Sequence, residues 1–395
     1  MKFFTALITL ACLANTSIEA SEWSGEVALE SQLFNHAPLF PGQSTNNVSL
    51  SISPEYYTSW DNDKRSLTIR PFIRLDQQDN KRSHFDIREF LFYRNYGEWE
   101  LKAGIGKVFW GVAESQHLVD IINQTDMVES LDLEEKLGQP MINFSLEKDW
   151  GNTDLFILPG FRKRTFPGPG GRLRTNPYID GSLSQYASGR KNRHIDYAIR
   201  YSHTIDNWDF GISHFYGTSR IPDLIPAING SGTPVLIPFY NLLHQTGLDV
   251  QLVSGDWLWK LEAIHSKTNN SNYSAYTTGF EYTWVGIRES SLDLGLISEY
   301  LYDTRGDKAP TPFQNDIMLG ARLVFNDAQS TEILFGTILD TGSRERSFTL
   351  EASTRLTDNI KLNIEARVFS NLRKNSPFYS IRNDDYLQFE LVYYI

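Results

Sequence analysis

Hydrophobic and polar positions alternate along this chain with a period of two, from end to end. Leu67, Ile69, Pro71, Ile73 and Leu75 fall on one side of an extended segment, and Thr68, Arg70, Phe72 and Arg74 on the other. The last segment divides in the same way, with Leu387, Phe389, Leu391, Tyr393 and Ile395 against Gln388, Glu390, Val392 and Tyr394. Ile195, Tyr197, Ile199 and Tyr201 oppose His194, Asp196, Arg200 and Ser202, and Ile360, Leu362, Ile364, Ala366 and Val368 oppose Lys361, Asn363, Glu365 and Arg367. Period two is the signature of strands, because successive side chains leave a strand on opposite faces.

Segments of this kind begin near Gly25, Val48, Leu67, Phe85, Glu98, Met141, Thr153, His194, Trp208, His244, Trp257, Tyr273, Leu292, Asp316, Thr331, Arg346, Ile360 and Tyr386. The count is 18, with 16 to 18 as its range. The segment near Thr153 is the poorest, because its alternation fades at Pro159. The segments run about ten residues, the length of a tilted membrane strand, where soluble sheets use about five or six. Tight turns at Asp61 to Lys64, Asn95 to Gly97, Trp150 to Asn152, Asp206 to Asn207, Ser254 to Asp256, Asn326 to Gln329 and Asp358 to Asn359 alternate with longer connections. The pattern predicts an all-β, transmembrane antiparallel barrel over residues 21–395, closed because lipid cannot hydrogen-bond a bare strand edge. An even strand count puts both ends on the periplasmic side. Trp99, Trp208, Trp257, Trp259, Tyr282 and Trp284 lie near the short turns and suit an aromatic girdle at the headgroup level.

The first residues bear on compartment. Lys2, the apolar run from Phe3 to Ala14 and the small or polar stretch to Ala20 read as a secretory signal peptide over residues 1–20. The run is too short to be a spanning helix, which needs about 20 apolar residues. The only cysteine, Cys12, lies inside it, so disulfides and thiol chemistry are not expected in the mature chain. A first strand so soon after the cleavage point leaves no room for an N-terminal plug.

Aromatic residues make up 13% of the chain, which gains meaning only because they sit near strand ends. The net charge of -11 argues against nucleic acid as a partner. No nucleophile sits in an elbow or triad setting, and the eight histidines have no metal-ligand spacing, so no catalytic residue, cofactor or metal is expected. Arg305-Gly306-Asp307 reads as a turn.

Charge is concentrated in two connections. The third long one, from about Gly111 to Pro140, carries Glu114, Asp120, Asp126, Glu129, Asp132, Glu134 and Glu135 against Lys136. His117, Leu118, Ile121 and Ile122, and again Val128, Leu131 and Leu133, have helix-like spacing, which predicts a short helix there. The fourth, from about Phe161 to Arg193, is basic: Arg162, Lys163, Arg164, Arg172, Arg174, Arg190, Lys191 and Arg193 face only Asp180. It suits either anionic lipopolysaccharide outside or the acidic third loop inside, since an arginine fork fits phosphate and carboxylate alike. The polar strand faces mix both signs. Arg70, Arg74, Arg88, Lys102 and Arg200 form the basic side of the expected lumen, and Asp196, Glu262, Glu299 and Glu351 are among the acids. Eighteen strands enclose too much space for side chains to fill, so a polar interior implies water.

Residues 85 to 175 resemble a group of poorly characterised proteobacterial outer-membrane barrels of porin type. The likeness runs through Arg88-Glu89-Phe90-Leu91, Trp99-Glu100-Leu101-Lys102-Ala103-Gly104, Lys107-Val108-Phe109-Trp110-Gly111 and Asp120-Ile121-Ile122-Asn123 with Asp126. Gly106 stands where that group has Gln, and Gln124 where it has Pro. Phe161-Arg162 and Gly171-Arg172-Leu173-Arg174 also fit. In general porins the third external loop folds into the barrel and narrows it, which makes Glu114, Asp120, Asn123, Asp126, Glu129 and Asp132 the expected constriction. Trp110-Gly111 would turn the chain into that loop, Gly104 and Gly106 would leave the wall bare for its approach, and Asp120, Asn123 and Asp126 would pin it to wall arginines.

The expected function is passive diffusion of small hydrophilic solutes across the outer membrane. The alternative is a closed or ligand-specific barrel for a lipid or other amphiphile, or an envelope interaction protein. Outer-membrane lipid, lipopolysaccharide and the barrel-insertion machinery are expected partners, and a homo-oligomer is compatible with the sequence.

Overall fold

The computed structural model describes residues 20–376 and 378–395. The predicted signal peptide falls almost wholly outside them. Eighteen strands form one antiparallel sheet: β1 (Ala20–Phe34), β2 (Asn46–Trp60), β3 (Arg65–Asp76), β4 (His84–Asn95), β5 (Trp99–Gly106), β6 (Gln139–Lys148), β7 (Gly151–Pro159), β8 (Ile195–Ile205), β9 (Trp208–Thr218), β10 (Leu242–Ser254), β11 (Trp257–Thr268), β12 (Asn272–Trp284), β13 (Asp293–Asp303), β14 (Asn315–Val324), β15 (Glu332–Asp340), β16 (Arg346–Thr357), β17 (Ile360–Ser370) and β18 (Tyr386–Tyr394). Each strand pairs with its neighbours in sequence, and β18 pairs back onto β1 through Glu26↔Tyr394 to Phe34↔Tyr386. The barrel is therefore closed and leaves no edge among its strands.

Burial is inverted relative to a water-soluble protein. Along β2, Val48, Leu50 and Ile52 are exposed while Ser49, Ser51 and Ser53 are buried. On β18, Phe389, Leu391 and Tyr393 face out and Val392 faces in. A barrel with apolar residues outside and polar ones inside is stable only where hydrocarbon covers the outer face, since each exposed Leu or Ile gains about 1.5–3 kcal/mol on leaving water. The expected girdle residues Trp99, Trp208, Trp257, Trp259 and Trp284 are exposed near the short turns, and Trp257, Trp259, Phe280, Tyr282 and Trp284 touch ring to ring.

One irregularity positions a side chain that matters below. Pro71 has no N–H for the ladder, and the β3–β4 register shifts there, from Arg70↔Glu89 to Pro71↔Ile87. Arg88 is the extra residue of this bulge. A bulge re-aims the residue it inserts, and Arg88 is buried on the inner side.

Several expectations need correction. The connections 269–271 and 341–345 are short although they belong to the long-loop end. Segments of the fourth and fifth connections form an extra three-stranded sheet from Gln185–Tyr186, Asp223–Ile228 and Pro234–Tyr240. Residues 107–138 contain no helix. The barrel interior is not wholly polar either: Met141, Phe156, Leu158, Ala198, Phe215, Leu243, Ile264 and Ala275 point inward from β6 to β12 and cluster with Trp110, Val119, Ile121 and Ile122 of this connection. This explains the faded alternation of β7. Its inward residues Phe156 and Leu158 are buried and apolar because loop residues, not water, cover them.

Candidate functional site

The third connection, residues 107–138, is built around wall carboxylates. Glu262 on β11 accepts the backbone N–H groups of Val112 at 2.7 Å, Ala113 at 3.0 Å and Val119 at 3.2 Å. Glu299 on β13 accepts those of Glu114 at 2.7 Å and Ser115 at 2.8 Å, and the Ser115 hydroxyl at 2.5 Å. These acceptors take the place of the carbonyls four residues back that a helix would offer, which accounts for the missing helix. Gly111 has φ +150, and a Cβ there would lie 2.9 Å from Glu262 Oε1. Gly104 has a different task from the one expected of it: its missing Cβ would meet Phe90 O of the adjacent strand at 2.0 Å, so it serves strand pairing and not loop approach.

Acidic side chains of the segment meet inward-facing cations on well-separated strands. Glu114 binds Arg322 of β14 at 2.7 Å, with Lys260 of β11 at 3.7 Å. Asp126 binds Arg88 of β4 at 2.7 Å, lies 3.4 Å from His84, and accepts the Thr165 hydroxyl at 2.6 Å. Glu129 binds Arg74 of β3 at 2.8 Å, and Arg74 also reaches Glu30 of β1 at 3.3 Å. Asp132 lies 3.6 Å from Arg367 of β17. Asp120 and Asn123 do not reach arginines, contrary to expectation. Asp120 pairs with Lys136 of the same loop at 3.0 Å. Asn123 donates to Gly106 O and Leu137 O and accepts from Val108 N, which ties the two ends of the loop together.

Electrostatics hold the contacts in place. Burial would raise the Asp126 carboxyl, but the contact with His84 and the Arg88 charge outweigh it and bring the group down to about 2. Burial would likewise lower His117, yet its contacts with Glu134 at 2.9 Å and Glu262 at 3.7 Å push it up to about 10. His84, Asp126 and Glu129 bring three ligand atoms within 4.8 Å, a grouping that sequence spacing does not reveal. Arg88 and Arg74 already balance its two carboxylates.

The remaining expected wall cations divide. Arg200 makes a two-pronged bond to Asp249 at 2.7 and 2.8 Å and stacks on Trp110. Arg70 pairs with Glu26 at 3.2 Å and lies 3.9 Å from Glu55, and Lys102 lies over the Tyr93 ring. His194 and Asp196 do form a contact at 2.8 Å, but Arg220 shares Asp196 at 2.7 Å.

The basic fourth loop divides by position. Arg162 reaches Asp86 of β4 at 2.5 Å and Gly138 O at 2.7 Å, and Arg164 donates to Gln124 Oε1 at 3.2 Å, so these two face the third loop. Arg172 binds Asp384 at 2.7 Å and carbonyls of His36, Ser44 and Asn383, joining the first, fourth and last long connections. Arg174 bonds Pro169 O and Thr175 O and covers the Phe40 ring. Arg190, Lys191 and Arg193 are exposed.

Residues that the sequence reading did not single out carry much of this arrangement. Arg82 bonds Glu30 at 2.7 Å, Asp76 at 3.0 Å and Val128 O at 2.8 Å. Arg220 bonds Ile122 O at 2.9 Å. Both lie in connections without a charge pattern, where no sequence signal marks them.

No family model and no curated protein matches the chain. Solved structures do. Pseudomonas aeruginosa OccK11 (OpdR) aligns with a TM-score of 0.55 and 10% identity over 97% of this chain and 98% of that one. Pseudomonas aeruginosa OpdQ gives 0.54 and 12% over 96% and 99%, and a BenF-like porin from Pseudomonas fluorescens Pf-5 gives 0.53 and 8% over 96% and 98%. At these identities the likeness is one of fold: this chain is a closed, porin-like barrel of 18 strands.

Proposed function

We propose that the chain is an outer-membrane channel for passive diffusion of small hydrophilic solutes, with residues 107–138 lying in the lumen as its constriction. The observation that carries this reading is the spread of loop contacts. Glu114, Asp126, Glu129 and Asp132 meet Arg322, Arg88, Arg74 and Arg367, which stand on β14, β4, β3 and β17. Inward side chains on such distant strands are within reach of one loop only if that loop crosses the interior. A barrel of 16–18 strands otherwise keeps an aqueous lumen. A BenF-like porin from Pseudomonas fluorescens shares the fold. On this reading Arg74 and Arg88 are the constriction's anchors, Arg200 is neutralised by Asp249 under Trp110, and Arg70 and Lys102 line the short-turn end.

Arg190, Lys191 and Arg193, exposed in the fourth loop, would meet lipopolysaccharide phosphates, while Arg162 and Arg164 serve the third loop. Proteoliposomes loaded with an impermeant polymer test the function. They should swell in sugars at rates that fall steeply with sugar size. Rates equal to those of empty liposomes would defeat the proposal.

A further inference from the structure

The barrel interior is divided unequally. Beside β6 to β12, the fully buried residues Val119 and Ile122 of the third loop join inward Phe156, Leu158, Phe215 and Ile264 in one apolar cluster that seals this side. Space beneath that seal, about 490 Å³ near Arg200, Ser202 and Asp249, is roofed by Trp110, Gly111 and Val112. The opposite side is open. A cavity of about 430 Å³ runs between residues 113–134 of the loop and the wall from β14 to β17, under the external residues Pro312 and Phe378. A second, of about 290 Å³, continues toward the short-turn end beside Glu332, Lys361 and Asn363. The two share Asp132, Leu334 and Glu351.

Charge at this join is unbalanced. Asp132 and Glu351 both turn to Arg367, at 3.6 and 3.5 Å, and Arg367 is already bonded to Glu365. One guanidinium thus serves three carboxylates. Below the join, Glu332 and Glu390 find neutral partners, Ser353 and Asn363. Arg322, held by Glu114, and Lys361 do not correct the excess, because the same cavity is lined by Asp132, Glu332, Glu351, Glu365 and Glu390.

We infer that solutes cross on one side only, between the third loop and β14 to β17, and that Asp132 and Glu351 at the join make this path selective for cations. The inference rests on the channel reading. Net carboxylate charge at a narrow, partly desolvated point raises the local concentration of cations and repels anions. Basic solutes of small size are the class that such a path favours.

Two measurements on the purified barrel in planar bilayers test it. In a potassium chloride gradient the wild type should give a cation-selective reversal potential. D132N combined with E351Q should lose most of that potential while still conducting, and D209N, beneath the seal, should keep it. In a C12S background, a bulky thiol reagent should block the current of L334C and spare that of S202C. A conducting channel whose reversal potential ignores D132N and E351Q, or whose current is blocked through S202C and not L334C, overturns the inference and leaves the channel reading standing. A membrane without conductance overturns both.

Discussion

Replacing Glu262 by alanine removes the acceptor on which the third loop is hung. Three backbone donors, on Val112, Ala113 and Val119, lie 2.7 to 3.2 Å from its carboxylate, which is fully buried on β11. Each buried donor left unpaired costs about 1–3 kcal/mol, so the three together cost about 3–9 kcal/mol if nothing replaces the carboxylate. Lumen water will reach some of them, which favours the lower end. About 3 kcal/mol is roughly a hundredfold in the equilibrium between attached and detached loop. The barrel ladder itself gains nothing from these bonds and should persist. The assay is amide hydrogen exchange on the detergent-folded protein. Peptides covering 108–122 should exchange about a hundredfold faster in Glu262→Ala, and peptides within β1 to β3 at the wild-type rate. Glu262→Gln, which keeps one acceptor oxygen, should fall between. Wild-type protection of 108–122 in Glu262→Ala would refute the hanging of the loop on this residue.

Asp126→Ala should increase current noise in bilayer recordings, because it frees the loop from Arg88, whereas Asp120→Ala, which breaks only the internal pair with Lys136, should disturb it less. Equal effects would contradict that division. His117 stands at about 10 against an ordinary 6.5, so its contribution is complete below about 6.5 and is lost as pH rises through about 10. Asp126 stands at about 2 against an ordinary 3.8, so its contribution is present above about 3.8 and lost as pH falls through about 2. Asp120 and Glu135, both raised by burial, add to the loss as pH rises above their ordinary values, so loop exchange rates, corrected for intrinsic chemistry, should be lowest near pH 4 and climb toward pH 10. A rise on acidification to pH 4 would contradict these signs. Ile395→Phe should assemble normally, as judged by heat-modifiable migration, since the Ile395 side chain is exposed beyond β18 and its backbone N–H donates to Gly25 O. Failure to assemble would show that the terminal side chain is read during insertion.

The barrel was legible because period two survives wherever one face meets lipid and the other water. Every one of the 18 expected strands is present, including β7, whose alternation is blurred by Phe156 and Leu158. What blurs it is the feature that the sequence hides most completely, an apolar interior patch that exists only because a loop from elsewhere in the chain covers it. The third loop was legible in position and charge, and Asp126, Glu129 and Glu114 do meet wall arginines. Its lack of a helix was not, because spacing reports local propensity and is blind to Glu262 and Glu299, 150 and 185 residues further along the chain. The role of Arg88 depends on a bulge opposite Pro71, which a single strand's pattern does not expose. Arg82 and Arg220 come from connections whose composition carries no signal.

A water-filled path past an inward third loop shows itself most plainly in conductance. The purified, detergent-folded barrel is added to a planar lipid bilayer in potassium chloride. Discrete steps with a linear current–voltage relation are expected of the intact chain. A membrane that stays closed to the intact chain, or that conducts only after residues 112–135 are removed, would contradict such a path.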